Sequence, residues 1–374
     1  MRRKIQMKTN KNKTLDIIIK SLVAIFLVLY LGFYYFKTNP DAQFKIARNI
    51  TYFANNKFTA NKSYHISNFI LKCSLLINPK DSFTYQVLGY NFYQLAYNNV
   101  HNEFFKEHYL QRAFTYSEKA LNYAPKHTEI INTLGFCCIL RENFDEAIEM
   151  FKFSLKIKPK DTVAINGLGQ IYSYYKIDYK KALEYIDLNI KYDQNNLNHY
   201  FAKAWILNNL DKNKEAIEYY NKYLEKNPYS VSALTNIAGC EVKIKDYENA
   251  LIHTERGLAL NPYSYYLLSS KTDILANLKK YDEAKATAQK IIDNSSFYGA
   301  HLGYFRLAKI QKLEGNTNQA EANFKIAKDI AQEFLDGEYC QSKEYDIKDL
   351  DARCRNVALF LKSFDKDKNA QNFY

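Results

Sequence analysis

Two histidines and two glutamates crowd the stretch HNEFFKEHY: His101, Glu103, Glu107 and His108. On a continuous helix His101 and His108 share a face, and imidazoles with carboxylates are a zinc-ligand set. The spacing is not HExxH, however, and no third ligand follows at a recognisable interval. The stretch therefore reads as an elaborated turn, with a metal-dependent activity as the lesser alternative. Six cysteines include no CxxC pair. Cys73, Cys137, Cys138 and Cys240 fall inside helical patterns and read as small buried apolar residues. Cys340 and Cys354 lie outside those patterns and would pair in an oxidising compartment if the fold brings them together. Gly167-Leu168-Gly169 imitates part of a dinucleotide fingerprint but follows no strand. DKDKN at 365–369 opens like a calcium loop but lacks its Gly and closing Glu. The sequons at Asn49, Asn61 and Asn294 are what an Asn-rich chain produces by chance.

Nothing in this inventory makes a catalytic constellation. The chain reads as a non-enzyme, with no metal and no cofactor expected. Its 374 residues are 47% apolar and 25% charged, the composition of a folded protein. Eleven Gly and six Pro are too few for an all-β chain. The formal net charge is +12, but half of that excess sits in residues 1–36, where seven basic groups face Asp16 alone. The rest is a mixed-charge surface without a dense basic stripe, so nucleic acid is not an expected partner.

Residues 17–36, IIIKSLVAIFLVLYLGFYYF, form an apolar run of 20 residues. As a helix it spans about 30 Å, the thickness of a bilayer core. Lys20 can snorkel near one end, and Tyr34, Tyr35 and Phe36 make an aromatic girdle at the other. No small-residue cleavage site follows, so the run reads as an uncleaved single-pass anchor. Lys and Arg are denser before it than after, which places residues 1–16 in the cytoplasm as a basic tail. The remainder is then expected to be periplasmic or otherwise extracytoplasmic. Residues 37–47 read as a linker.

Beyond the linker the chain repeats itself. Pro125 and Pro159 are 34 residues apart, as are Pro228 and Pro262; Pro159 to Pro228 is two such periods plus one residue. Helical segments end at these prolines, each with an early small residue: Ala147, Ala216, Ala250. A second helix ahead of each carries a large residue and then a Leu-Gly pair, as at Ile131 with Leu134-Gly135 and Ile165 with Leu168-Gly169. The pattern resembles the tetratricopeptide repeat family, whose unit is a 34-residue helical hairpin. Seven units match over 82–334, the first with twelve extra residues, and 48–81 resembles a degenerate unit clear only in its second helix. The resemblance implies an all-α fold, a right-handed α-solenoid behind one transmembrane helix. Residues 335–374 should hold a capping helix (345–364) and a frayed tail.

In that family the first helix of each unit lines a concave groove, so the resemblance also implies a partner site. Its expected lining is Tyr90, Asn132, Phe136, Asn166, Gln170, Phe201, Trp205, Phe305, Arg306 and Lys309. Trp205, the single tryptophan, is the natural anchor, with packing between units as its other reading. Phe201 and Trp205 stand where one subclass needs a cation and an amide to grip the C-terminal carboxylate of heat-shock chaperones, so such tails are not expected ligands. The expectation is a membrane-anchored scaffold that binds proteins or peptides, in envelope assembly or quality control. A cytosol-facing receptor with the same fold is the alternative topology.

Overall fold

The computed structural model describes residues 40–294, 299–337, 340 and 352–369. The apolar run 17–36, the basic tail and the expected orientation lie outside these residues. Among the described residues no helix is long and apolar enough to cross a membrane.

The described chain is helical throughout and forms two compact units that divide between Lys176 and Ile177. The first unit holds α1 (Pro40–Ala54), α2 (Tyr64–Ile77), α3 (Ser82–Asn98), α4 (Glu103–Tyr123), α5 (Thr128–Leu140), α6 (Phe144–Ile157) and α7 (Thr162–Gln170). The second holds α8 (Tyr179–Tyr192), α9 (Leu197–Asn209), α10 (Asn213–Leu224), α11 (Val231–Lys243), α12 (Tyr247–Leu260) and α13 (Tyr265–Asn277). It continues with α14 (Tyr281–Asn294), α15 (Ala300–Leu313), α16 (Thr317–Asp336) and α17 (Ala352–Asn369). Within each unit the helices pack as antiparallel hairpins stacked in chain order. First helices also touch the first helices of the next hairpin, α3 against α5 and α13 against α15.

Two kinds of corner alternate. Inside most hairpins, the second residue after the first helix adopts a left-handed backbone: Glu142 (φ 63°), Asp211 (57°), Lys245 (64°), Lys279 (60°) and Gly315 (86°). The next amide then reaches back five residues, as from Asp246 N–H to the Glu241 carbonyl (2.8 Å) and from Lys280 N–H to that of Leu275 (2.9 Å). This is the Schellman closure, which satisfies carbonyls a helix end would orphan. Between most hairpins, proline follows the helix end and a polar side chain caps the next helix. Asp161 accepts from Val163 N–H (3.2 Å) and Ser230 from Ala233 N–H (3.3 Å).

The odd residue between Pro159 and Pro228 has a local explanation. After Gln170 the helix widens into a π-turn, Ile171–Tyr175, closed by a bond from Lys176 N–H to the Ile171 carbonyl (2.9 Å). A π-turn takes one more residue than an α-turn, so the odd residue is accommodated within this corner. The twelve extra residues of the first matched unit are absorbed differently. They lengthen the hairpin, so that α3 has 17 residues and α4 has 21.

Three expected boundaries are corrected. The linker 37–47 is helical from Pro40 onward, because proline at a first helical position loses no bond and has its φ preset. The degenerate unit therefore has both helices, α1 and α2. In the terminal segment, helix α16 runs to Asp336 and α17 to Asn369, five residues beyond the expected cap.

Small residues set how closely helices approach. The Phe151 ring is fully buried between Gly135 and Gly167, and meets Phe136 edge-on with centroids 5.0 Å apart. A methyl group built on Gly135 would lie 2.8 Å from that ring, and one on Gly167 closer still. Gly239 meets nothing within 4 Å. Gly167→Ala is expected to destabilise by about 1–3 kcal/mol through overpacking. Gly239→Ala should instead leave stability unchanged or raise it by up to about 1 kcal/mol, by removing helix-interior backbone freedom. Urea unfolding midpoints of the two variants check this; a loss at Gly239 equal to that at Gly167 would refute the packing account.

Candidate functional site

The helices that carry the expected groove residues present one face each, set by the α-helical period. On α3 the face is Gln86, Tyr90, Tyr93 and Tyr97; on α5 it includes Thr133 and Phe136; on α7 it runs through Val163, Asn166 and Gln170 toward Tyr174. These faces meet. Tyr93 lies 5.8 Å from Phe136 and 6.4 Å from both Tyr90 and Tyr97 between ring centroids, and Gln86 bonds to Glu129. Tyr175 stacks on Phe144 at 4.3 Å. Tyr90, Tyr97, Tyr174 and Tyr175 keep 42–56% of their surface exposed, while Phe136, Asn166 and Gln170 are half-buried. Burial, reinforced by Cys137 and the neighbouring phenols of Tyr97, Tyr90 and Tyr175, pushes the Tyr93 hydroxyl up and keeps it protonated. The first unit thus offers a strip of neutral phenols and amides.

Asn132 belongs to the scaffold. It is 3% exposed and donates to Asp161 (3.0 Å), which also accepts from Ser154 (3.0 Å). One carboxylate therefore ties α5, α6 and the start of α7 together. Thr51, Ser74, Thr84 and Asp81 form the corresponding node at α1–α3, with Thr51 2.6 Å from Thr84 and 3.0 Å from Ser74.

In the second unit Phe201 packs edge-on against Tyr220 (5.3 Å) and Tyr223 (5.2 Å), and Trp205 meets Tyr179 (5.9 Å). Both are half-buried, so packing and exposure share these side chains. Lys203, at a position where the repeat favours an apolar residue, pairs with Asp187 at 2.6 Å and lies over the Tyr219 ring. Phe305 is 8% exposed and enclosed by Phe324, Phe360 and Phe364, in the core beneath α17. Arg306 grips buried Asp273 with two contacts of 2.9 Å, and Lys309, 8% exposed, adds its charge to the same carboxylate. Burial raises the Asp273 carboxyl above the usual range against the pull of Arg306 and Lys309. The cationic end of the expected lining is therefore turned inward, onto one buried carboxylate. Beside it opens a cavity of about 490 Å³ whose walls include Gly239, Lys243, Tyr247, Ser270, Asp273 and Asn277.

The histidine cluster separates. Asn102 caps α4, accepting from Phe105 N–H (3.1 Å), so the helix begins after His101 and only His108 rides on it. The shared face expected for the two histidines is thereby corrected. Among the described residues no group of three or more His, Cys, Asp or Glu is placed to hold a metal ion. Cys340 and Cys354 are joined by a disulfide, with Cα atoms 5.8 Å apart. Cys73, Cys137, Cys138 and Cys240 are free thiols, and burial pushes Cys138 up to about 12 and Cys240 up to about 11.

Hairpins of this length, closed by alternating capped and left-handed corners, define a helical-repeat protein. Residues 199–229 match the family model described as tetratricopeptide repeat. A methanogen protein, the TPR repeat-containing protein MJ1428 of Methanocaldococcus jannaschii, is 28% identical over 202 residues, half of this chain and 34% of that one. Hsp70-Hsp90 organizing protein 3 of Arabidopsis thaliana is 29% identical over 154 residues, 40% of this chain and 25% of that one. The chain thus spans between a quarter and a third of the length of these curated relatives. A solved tetratricopeptide repeat protein from Parabacteroides merdae is 16% identical, with a TM-score of 0.48 over 74% of this chain and 98% of its own.

Two measurements test the site. Asp273→Asn and Arg306→Leu should each cost about 3–5 kcal/mol by stranding a buried charge. The double variant should lose less than the sum of the two; additive losses would show that the groups do not act as a pair. Titration with an aromatic disulfide reagent should find Cys73 alone reactive in the native protein, the other three free thiols appearing only in denaturant. Rapid native reaction of Cys137 or Cys240 would refute their burial.

Proposed function

We propose that this chain is a membrane-anchored interaction scaffold whose first-helix faces receive an extended or helical segment of a partner protein. The observation that carries this reading is the strip formed by Tyr90, Tyr97, Gln170 and Tyr174. Aromatic side chains there stand exposed on rigid helices whose other faces are taken up by the core. Tyrosines held in this way supply apolar area and a hydroxyl at low entropic cost, which is what partner interfaces enrich. Phe201 and Trp205 extend the same chemistry on the second unit as half-buried positions. Family likeness points the same way: proteins with these repeats are interaction modules, and nothing in the site supplies a nucleophile or an acid–base pair.

The anchor is the apolar run 17–36, and an extracytoplasmic location for the repeats accords with the excess of Lys and Arg before it. The Cys340–Cys354 disulfide supports that side of the membrane, since such bonds persist in oxidising compartments. The four free thiols favour the opposite, cytosol-facing topology as the second reading. An envelope assembly or quality-control role belongs to the first topology and remains part of the proposal. The scaffold brings no chemistry of its own; confinement to the membrane raises its effective concentration for partners in the same plane.

A photo-crosslinking amino acid at Tyr90 and at Gln170 should capture the same partner in cells. The same probe at Tyr229, 78% exposed in the corner before α11, should not. Tyr90→Ala should weaken the Gln170 crosslink several-fold. Capture at Tyr229 alone, or an unchanged Gln170 crosslink in Tyr90→Ala, would move the binding surface elsewhere.

A further inference from the structure

From residue 42 onward the first hairpin carries charge of a single sign. Residues 42–80 contain no Asp or Glu and six cations: Lys45, Arg48, Lys57, Lys62, Lys72 and Lys80. The five lysines are exposed, and Arg48 keeps 40% of its side-chain surface. Elsewhere opposite charges pair across neighbouring helices, as in Arg141 with Glu107 and Lys203 with Asp187. Of the next three carboxylates only Asp81 meets the hairpin, pairing with Arg48 alone. Asp81 is buried and caps α3, 4.0 Å from Arg48, while Glu103 is bound to Lys106 at 2.6 Å and Glu107 to Arg141. Asp41, in the first turn of α1, is the one acidic group just before this segment.

The same hairpin leaves large apolar side chains uncovered. Phe53 is 46% exposed, Phe69 54% and Leu76 80%. On α2, Phe69, Lys72 and Leu76 follow the helical period and share one side, so aromatic, ammonium and aliphatic groups alternate along it. Arg48 lies among the Phe44, Tyr52 and Phe83 rings at 5.4–6.0 Å. Cations mixed with exposed aromatic and aliphatic groups on helices suit the headgroup layer of a bilayer. There the charges meet lipid phosphates and the apolar side chains enter the acyl boundary. A nucleic acid would satisfy the lysines but gives Leu76 no solvent. Three residues separate Phe36 from Pro40, so α1 begins within about 14 Å of the end of the apolar run even if they are fully extended.

We infer that the α1–α2 hairpin is a second membrane contact, lying on anionic phospholipid through its lysines with Phe53, Phe69 and Leu76 dipping below them. Its closeness to the bilayer rests on reading 17–36 as an anchor; its chemistry does not. Lying there, the hairpin sets the orientation of the first unit relative to the membrane plane.

The test uses the full chain in lipid nanodiscs of phosphatidylcholine with or without phosphatidylglycerol. A single Leu76→Cys is placed in a Cys73→Ser background and labelled with an uncharged water-soluble maleimide. Labelling should be at least about fivefold slower on anionic discs, the factor expected for each cation engaged. Salt should restore the rate. Lys57→Glu with Lys72→Glu should abolish the difference. Tyr263→Cys in the same background, 74% exposed in the second unit, should label equally on both discs. Equal Leu76→Cys rates on both discs, with the chain inserted in each, would overturn the contact. Equally slow labelling on both discs and in detergent would mean that protein, such as a second copy, covers this face, and would also overturn it. Failure to enter neutral discs would overturn the anchor reading instead. In that case binding to anionic discs alone would still support the surface, and binding to neither would refute both.

Discussion

Most hairpins reverse direction twice with almost no residues to spare, and the two reversals are made by different physics. One depends on a residue that accepts a left-handed backbone, the other on proline and a capping side chain. Because the two alternate at a nearly constant interval, first helices return beside first helices within each unit, α3 beside α5 and α13 beside α15. The faces that carry Tyr90, Phe136 and Gln170 are neighbours for that reason. The left-handed corners are occupied by Glu, Asp and Lys except at Ile177 and Gly315. Non-glycine residues adopt that conformation at a cost of about 1–2 kcal/mol, so the helix packing on either side must hold it in place.

The two units solve the burial of polar groups between helices in different ways. In the first, neutral donors converge on a capping carboxylate: Asn132 and Ser154 on Asp161, Thr84 on Asp81. A carboxylate satisfied by several short bonds is well placed in an interior. The second unit instead closes a full ion pair, Asp273 with Arg306, beside a cavity. Desolvation opposes that arrangement. The difference leaves the first unit with a neutral aromatic face and the second with Arg306 and Lys309 drawn onto a buried carboxylate.

Much of this architecture is legible from residue spacing alone. Prolines 34 apart, small residues at helix crossings and Leu-Gly pairs locate the hairpins from 82 onward, since steric constraints at those positions restrict residue type. The left-handed corners do not announce themselves, because lysine or glutamate there looks like any surface residue. Pro40 reads as a chain breaker until the helix it begins is known. Phe305 has the register of a groove residue, and its burial depends on Phe360 and Phe364, more than fifty positions later, which no local period connects. The Asp273–Arg306 pair was within reach of a sequence reading: the two lie 33 residues apart, close to one repeat, with opposite charges on corresponding helices. His101 and His108 mislead for the opposite reason, since the Asn102 cap that separates them is a single ordinary residue.

The terminal helix has a consequence for how such a chain changes over generations. Its Phe360 and Phe364 are shaped to the side chains of α15 and α16, and the disulfide at Cys354 fastens it near its start. An interlocked lid of that kind makes lengthening at this end expensive, because any added hairpin would have to displace it. Duplication of an interior hairpin would leave both the lid and the basic opening layer untouched. Interior hairpins can therefore multiply while the basic hairpin and the helix carrying Phe360 and Phe364 stay as they are.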